Sequence, residues 1–322
     1  MTATVVVTDH EFSDLGPERA VVEGAGFRLV DARAKTEDEL LAACAEADGL
    51  INQYSQLTAT VIGGLRRCRI ISRYGIGLNT IDVDAATAAG IAVANVPDGS
   101  LDDVSDHAVA MMLALARGLH RYDRTLRAGG WDYTAAGRLY RLHGRTLGLL
   151  GFGRIPQRVA AKAAAFGLRV VAHDPHADPA TARDLQVGLV AADELFAASD
   201  VLSVHVPLTE QTRGMVGARA LARMKPTALV VNTARGPVVD QDALLDALRD
   251  GRIAGAGLDV FEHEPLPADH PLRSEPGVLL SPHSAWYSED SEQEIRTKAA
   301  RNVVHALRGE TVPYQVNEVP VR

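Results

Sequence analysis

The 322-residue chain has only two cysteines, Cys44 and Cys68, too few for a disulfide framework or a cysteine-built metal cluster. It has no basic excess. Its 33 Lys and Arg stand against 41 Asp and Glu, a formal charge of −8, whereas general nucleic-acid binding needs clustered cations to neutralise phosphates. No apolar run is long enough to cross a membrane, and the opening MTATVVVTDH lacks the basic and apolar regions of a secretory signal. Fixed-period repeats and low-complexity segments are also missing. With 47% hydrophobic and 23% charged residues, the composition is that of a soluble globular protein. These absences predict a cytoplasmic protein with no metal, nucleic-acid or membrane partner, and the length suggests two domains.

Strand-like and helix-like segments alternate along the first hundred residues. Short β-branched runs occur at Thr4–Thr8, Phe27–Val30, Gly49–Ile51, Ile70–Ser72 and Ile91–Val93. Helix-like stretches separate them, at Pro17–Gly24, Glu37–Ala45, Thr58–Leu65 and Val83–Ala89. Such alternation predicts parallel βαβ units. A long Ala-, Leu- and Met-rich helix follows over roughly Asp102–Leu119, then an irregular aromatic stretch at Arg127–Tyr140 carrying Trp131 and Tyr133. A second alternation has six expected strands, at Thr146–Leu150, Arg169–Ala172, Val201–His205, Ala228–Asn232, Gly255–Leu258 and Gly277–Leu280. The last helix, Glu289–Leu307, has acids in its first turn that suit the positive end of a helix dipole. The fold class is therefore α/β, with two doubly wound parallel sheets of the Rossmann type.

One turn in the second alternation carries chemistry. Thr146–Leu150 runs into Gly151-Phe152-Gly153-Arg154-Ile155-Pro156-Gln157, a strand, a tight turn and a helix start. Gly151 permits the turn, Gly153 admits a close pyrophosphate, and the helix start at Arg154 and Ile155 offers unpaired amides. Pro156 replaces the third glycine of the G-x-G-x-x-G pattern, which is tolerable in a first helical turn but removes close helix–strand packing. The next strand ends at Asp174, 18 residues beyond Pro156, where an acid would receive the ribose hydroxyls of NAD and repel the 2′-phosphate of NADP.

Three later segments each follow an expected strand. They are Asn232-Thr233-Ala234-Arg235-Gly236, Asp259-Val260-Phe261-Glu262-His263-Glu264-Pro265, and Ser281-Pro282-His283-Ser284-Ala285-Trp286-Tyr287. Ligands of open α/β sheets bind beyond the carboxyl ends of the strands, so Arg235, Glu264 and His283 could converge there. Taken singly, each has an ordinary explanation as a solvated surface or loop residue.

In order and spacing, these motifs resemble the D-isomer-specific 2-hydroxyacid dehydrogenase family over essentially the whole chain. The run from His283 to Glu289, with Arg73-Tyr74-Gly75-Ile76-Gly77, is most similar to its C-terminal-binding-protein branch. The resemblance implies an NAD domain at residues 99–285 inserted into a substrate domain made of 1–98 and 286–322, and a homodimer formed through the NAD domain. It implies that His283 exchanges a proton with the C2 oxygen, that Glu264 orients its ring and favours the imidazolium, and that Arg235 holds the substrate carboxylate and C2 oxygen. Gly75, Ile76 and Gly77 would cradle that carboxylate with backbone amides, with Tyr74 beside them. Asp259 would bind the nicotinamide carboxamide. His205, Val206, Pro207 and Thr212 would border the adenosine side, and Thr233 and Ala234 the nicotinamide ribose. Ile76, His283 and Trp286 are also placed against the cofactor, and Trp286 either faces the C2 substituent or anchors a hinge. His107 is expected to pack rather than react.

The neutral Gln53-Tyr54-Ser55-Gln56 stretch disfavours a phosphorylated substrate, and no regulatory domain is expected beyond the two domains. Two other functions remain open. One is an NAD(H)-responsive regulatory binding protein, the other oxidation of phosphite or another small anion on the same scaffold.

Overall fold

The computed structural model describes residues 2–319, so residues 1 and 320–322 of the expected substrate domain lie outside the description. The chain divides into two compact units. One comprises the residues up to Ser100 and those from Ser288 onward, the other Leu101–Tyr287. Both crossings fall two residues beyond the expected positions.

The first unit contains β1 (Thr4–Val7), α1 (Gly16–Val22), β2 (Arg28–Asp31), α2 (Glu37–Cys44), β3 (Gly49–Asn52), α3 (Ala59–Gly63), β4 (Ile70–Arg73), α4 (Val83–Ala88) and β5 (Ala92–Ala94). All pairings are parallel, in the order β2-β1-β3-β4-β5. The middle strands are continuous apolar runs because helices cover both faces of such a sheet; Val5, Val7, Leu50, Ile51, Ile70 and Ile71 are completely buried. Side chains fix the helix starts. Thr36 and Glu39 form a reciprocal capping box on α2, and Asp82 caps α4 through the Ala85 amide. Cys44 and Cys68 are buried, which pushes their thiols up to about 11 and about 12, so neither is an available nucleophile.

The second unit opens with α5 (Leu101–Ala116) and α6 (Leu119–Arg127). The long helix expected to end near Leu119 is α5, which ends at Ala116. Gly118, at φ 64°, separates it from α6, a further helix that was not foreseen and that buries none of its residues. The aromatic stretch after it contains a 3-10 turn at Tyr133–Ala136. The sheet and its helices follow as β6 (Thr146–Leu150), α7 (Arg154–Ala164), β7 (Arg169–His173), α8 (Pro179–Asp184), β8 (Gly188–Leu189), α9 (Ala192–Ala198), β9 (Val201–Val204), α10 (Ala218–Leu221), β10 (Leu229–Asn232), α11 (Gln241–Arg249), β11 (Gly255–Leu258) and β12 (Val278–Leu280).

The sheet has seven parallel strands in the order β12-β11-β10-β9-β6-β7-β8. Six were expected. The seventh, β8, is two exposed residues on the edge and has no hydrophobic pattern to betray it. The strand order reverses between β6 and β9, and at such a switch point a crevice opens at the carboxyl ends of the strands.

The chain then returns to the first unit as α12 (Glu289–Leu307), capped by Ser288 and Ser291. Among the described residues, no helix is long and apolar enough to cross a membrane, and no three His, Cys, Asp or Glu side chains are grouped to hold a metal ion.

Candidate active site

The switch point of the second unit is built around Gly151. Its amide bonds the His173 carbonyl at 2.9 Å, and the His205 amide bonds the Leu150 carbonyl at 2.8 Å. Gly151 adopts φ 97°, and a Cβ there would lie 3.0–3.1 Å from the backbone of His205 and Val206. Only glycine suits this position, both for its conformation and for the approach of β6 to the end of β9. Gly153 differs: a Cβ there meets nothing within 4 Å. The space above it is open, as close approach by a ligand would require.

Gly153 caps α7 with no side-chain hydrogen bond, so the first-turn amides of Arg154 and Ile155 have no partner within the helix. Pro156 is buried in that turn, where it has no amide to leave unpaired. Asp174 accepts from the Phe152 and His176 amides, at 2.8 Å each. A carboxylate has about four acceptor sites, so Asp174 keeps capacity for ribose hydroxyls.

Along the same edge, Ser203 Oγ lies 2.8 Å from His205 Nε2. Loss of hydration pushes the His205 imidazole down to about 3, and the ring is neutral. Thr212 turns its hydroxyl back on the Pro207 carbonyl at 2.6 Å, which pins its own loop. Thr233 Oγ1 is buried and has no partner among the described residues, an orphan that a ligand hydroxyl would satisfy. The open space over Gly153, the bare helix start, Asp174 and this orphan all fit a dinucleotide.

The turn after β10 is shaped by buried Asn232, which donates to the Arg235 carbonyl at 3.0 Å and accepts from the Ala234 amide at 3.0 Å. A Cβ on Gly236 would fall 1.9 Å from the Phe261 carbonyl group. That close backbone contact brings the Arg235 turn against the Phe261–Glu264 turn. Arg235 Nη1 donates to the Ala234 carbonyl at 2.6 Å.

Glu264 Oε1 accepts from the Phe261 amide at 2.9 Å, and Oε2 lies 2.6 Å from His283 Nδ1. Burial alone would raise the Glu264 pKa. The His283 hydrogen bond and charge outweigh it, with help from the Phe261 amide and the Arg235 charge, and the carboxyl lies below its ordinary range. His283 Nε2 takes part in no hydrogen bond among the described residues. The arrangement is one imidazole with one nitrogen anchored to a carboxylate and the other open.

Asp259 directly follows β11. It is completely buried and accepts from the Ser281 hydroxyl and from the Ser284 and Ala285 amides, the last two at 2.9 Å each. Among the described residues, Oδ2 accepts from the Ala285 amide alone. His107, expected merely to pack, lies 2.9 Å from Ser281 Oγ through Nε2. Sequence reasoning missed both residues. A histidine in an apolar helix and a serine two places before another histidine were the only signals. The Trp286 ring meets that of Tyr287 edge-on at 5.7 Å.

The remaining expected residues belong to the first unit. The amides of Gly75, Ile76 and Gly77 have no hydrogen-bond partner among the described residues, while the carbonyls of Gly75 and Ile76 are tied to the Val96 amide and the Asn95 side chain, at 3.0 and 2.7 Å. Tyr74 differs from expectation. Its ring is buried and its hydroxyl donates to Glu18 at 2.9 Å, so the side chain serves the core and only its backbone could face a ligand.

A seven-stranded parallel sheet with a glycine turn, a bare helix start and an acid at the end of the next strand defines a dinucleotide-binding unit of the Rossmann class. Residues 109–285 match the D-isomer specific 2-hydroxyacid dehydrogenase NAD binding domain, and the chain belongs to that family. It is 41% identical over 291 residues to D-3-phosphoglycerate dehydrogenase of Mycobacterium leprae, covering 90% of this chain but 54% of that protein. The chain thus spans about half the length of such relatives. It is 40% identical to glyoxylate reductase of Korarchaeum cryptofilum, over 86% of this chain and 85% of that one. The crystal structure of a glyoxylate reductase from Paecilomyes thermophila superimposes with a TM-score of 0.89 at 29% identity, covering 98% of this chain and 99% of that one.

Proposed function

We propose that the protein is an NAD-dependent oxidoreductase that interconverts a 2-keto acid and the corresponding D-2-hydroxy acid, with reduction as the direction in the cell. The observation that carries this reading is the 2.6 Å contact of His283 Nδ1 with Glu264, which leaves Nε2 open. Bound NAD(H) would supply or receive the hydride. The protein's own part is charge and proton management. The planar fork of Arg235 would hold the carboxylate and polarise the C2 oxygen. His283 Nε2 would give that oxygen its proton in reduction and take it back in oxidation. Glu264 stays ionised and would offset the imidazolium charge. The amides at Gly75–Gly77 would suit a carboxylate, and Asp174 would favour NAD over NADP.

The substrate we propose is small and unphosphorylated. The Gln53–Gln56 segment after β3 has no cation, and several relatives are named glyoxylate reductase. Others are named D-3-phosphoglycerate dehydrogenase, so the test is a panel of 2-keto acids that includes a phosphorylated one, followed by NADH absorbance. Preference for the phosphorylated acid overturns the substrate assignment, and no turnover of any 2-keto acid overturns the activity.

A homodimer through the second unit is part of the proposal. Trp131 and Tyr133, 91% and 85% exposed, and Leu119 and Leu126 on α6 form apolar surface on that unit. A monomer at micromolar concentration in sedimentation experiments counts against it.

A further inference from the structure

His107 stands 174 positions before Ser281 in sequence, yet the two share a 2.9 Å hydrogen bond. Its direction follows from simple bookkeeping. A carboxylate only accepts, so the single proton of the Ser281 hydroxyl goes to Asp259. Ser281 Oγ can then only accept from His107, and the ring proton must be on Nε2. The result is a polarised chain, from His107 to Ser281 to Asp259, in which each donor fixes the next.

Asp259 is also where the His283 turn is held. Its carbonyl accepts the His283 amide at 2.7 Å, and its carboxylate accepts the Ser284 and Ala285 amides at 2.9 Å each. Three consecutive amides therefore end on one buried residue. The turn needs such restraint, since His283 adopts φ 52°, left-handed backbone that a residue with a Cβ rarely occupies.

We propose that His107 is a positioning residue for the acid–base turn: through Ser281 it fixes the Asp259 carboxylate, which keeps His283 in its left-handed conformation with Nδ1 on Glu264. This rests on reading His283 as the acid–base group. His107 touches neither substrate nor cofactor in this account, and a side chain that can donate to Ser281 from α5 should replace it.

The test uses the full chain and the variants His107→Leu, His107→Gln, Ser281→Ala and the Leu/Ala double variant. In His107→Leu, kcat should fall about tenfold, the scale of one orienting hydrogen bond, with KM for the keto acid within about twofold. His107→Gln should recover most of the loss, and His107→Leu should cost nothing further in the Ser281→Ala background. Hydrogen exchange at Ser284 and Ala285, measured without turnover, should quicken in His107→Leu and return in His107→Gln. Unchanged exchange in His107→Leu, equal impairment by Leu and Gln, or fully additive losses overturn the proposal. Absence of all turnover in the wild type would sink the activity while the exchange result still decides the role of His107.

Discussion

Glu18 and Arg296 in the first unit, and Glu264 and His283 in the second, are both acid–base pairs held by short hydrogen bonds, but their surroundings differ. The Arg296 guanidinium grips both oxygens of completely buried Glu18 through Nε and Nη2, at 2.9 and 2.8 Å; Nη2 also donates to the Asp14 carbonyl, and Nη1 to Glu292. Tyr74 adds its hydroxyl to Glu18, and the guanidinium lies 4.4 Å from the Phe12 ring centroid. All three guanidinium nitrogens are used. Burial, then the Glu18 charge, keeps the Tyr74 phenol far above its ordinary pKa, so it stays a donor. Glu264 and His283 are 34% and 28% exposed in their side chains, and one imidazole nitrogen is unused. A saturated ion pair can only hold structure, whereas an unsaturated one has an atom available for chemistry.

Substitutions should separate the two. The largest expected effect is on the open pair: His283→Ala should lower keto-acid turnover by about 10²–10⁴-fold while NADH affinity, measured by fluorescence titration, stays within about twofold. Near-normal turnover in that variant removes His283 from the chemistry. Arg296→Met should cost about 3–5 kcal/mol of unfolding free energy, because it strands a buried carboxylate. Denaturant unfolding checks this, and joint replacement of Glu18 by leucine should recover much of the loss.

Glu264→Gln should reduce turnover by roughly 10-fold or more and move the pH profile of reduction to lower pH. Its stability effect follows the sign of its shift. A carboxyl whose pKa is lowered by folding stabilises the native state above the ordinary glutamate range, and loses that contribution as pH falls through the folded value. With a third of the side chain in solvent, the contribution is small. An unshifted activity profile would exclude Glu264 from the proton chemistry. The smallest effect belongs to Asp174→Ala, which should narrow the preference for NAD over NADP by about tenfold, read as the ratio of kcat/KM values. A wild type that already prefers NADP would contradict the ribose assignment.

Much of this was legible in the sequence because it is local. The five strands of the first unit and the last helix follow from apolar period and capping chemistry, and Gly151 and Asp174 follow from their spacing along one βαβ unit. The misses are relations between distant segments or elements too short to have a pattern. β8 is two residues long. α6 buries none of its residues, so no core-facing apolar stripe marks it. Tyr74 adjoins Gly75 and Gly77 in sequence, yet its ring is drawn inward by Glu18 and by Arg296, 222 positions later. His107 looked like packing because its partner stands in a different motif. Periodicity tells which face of an element is buried, but not which polar groups meet there.

The return of the chain to the first unit also sets an order in time. α12 covers a sheet finished far earlier: Asn302 bonds Ser72 and the Asn95 carbonyl, and Val303 fills the space beside Gly49. On the ribosome, the five strands emerge before the dinucleotide unit and their cover after it, whereas that unit is contiguous and can close as soon as β12 is out. A nascent chain arrested soon after that point should show a protease-resistant second unit behind a still digestible first one. Strands made before the cofactor fold would mature after it.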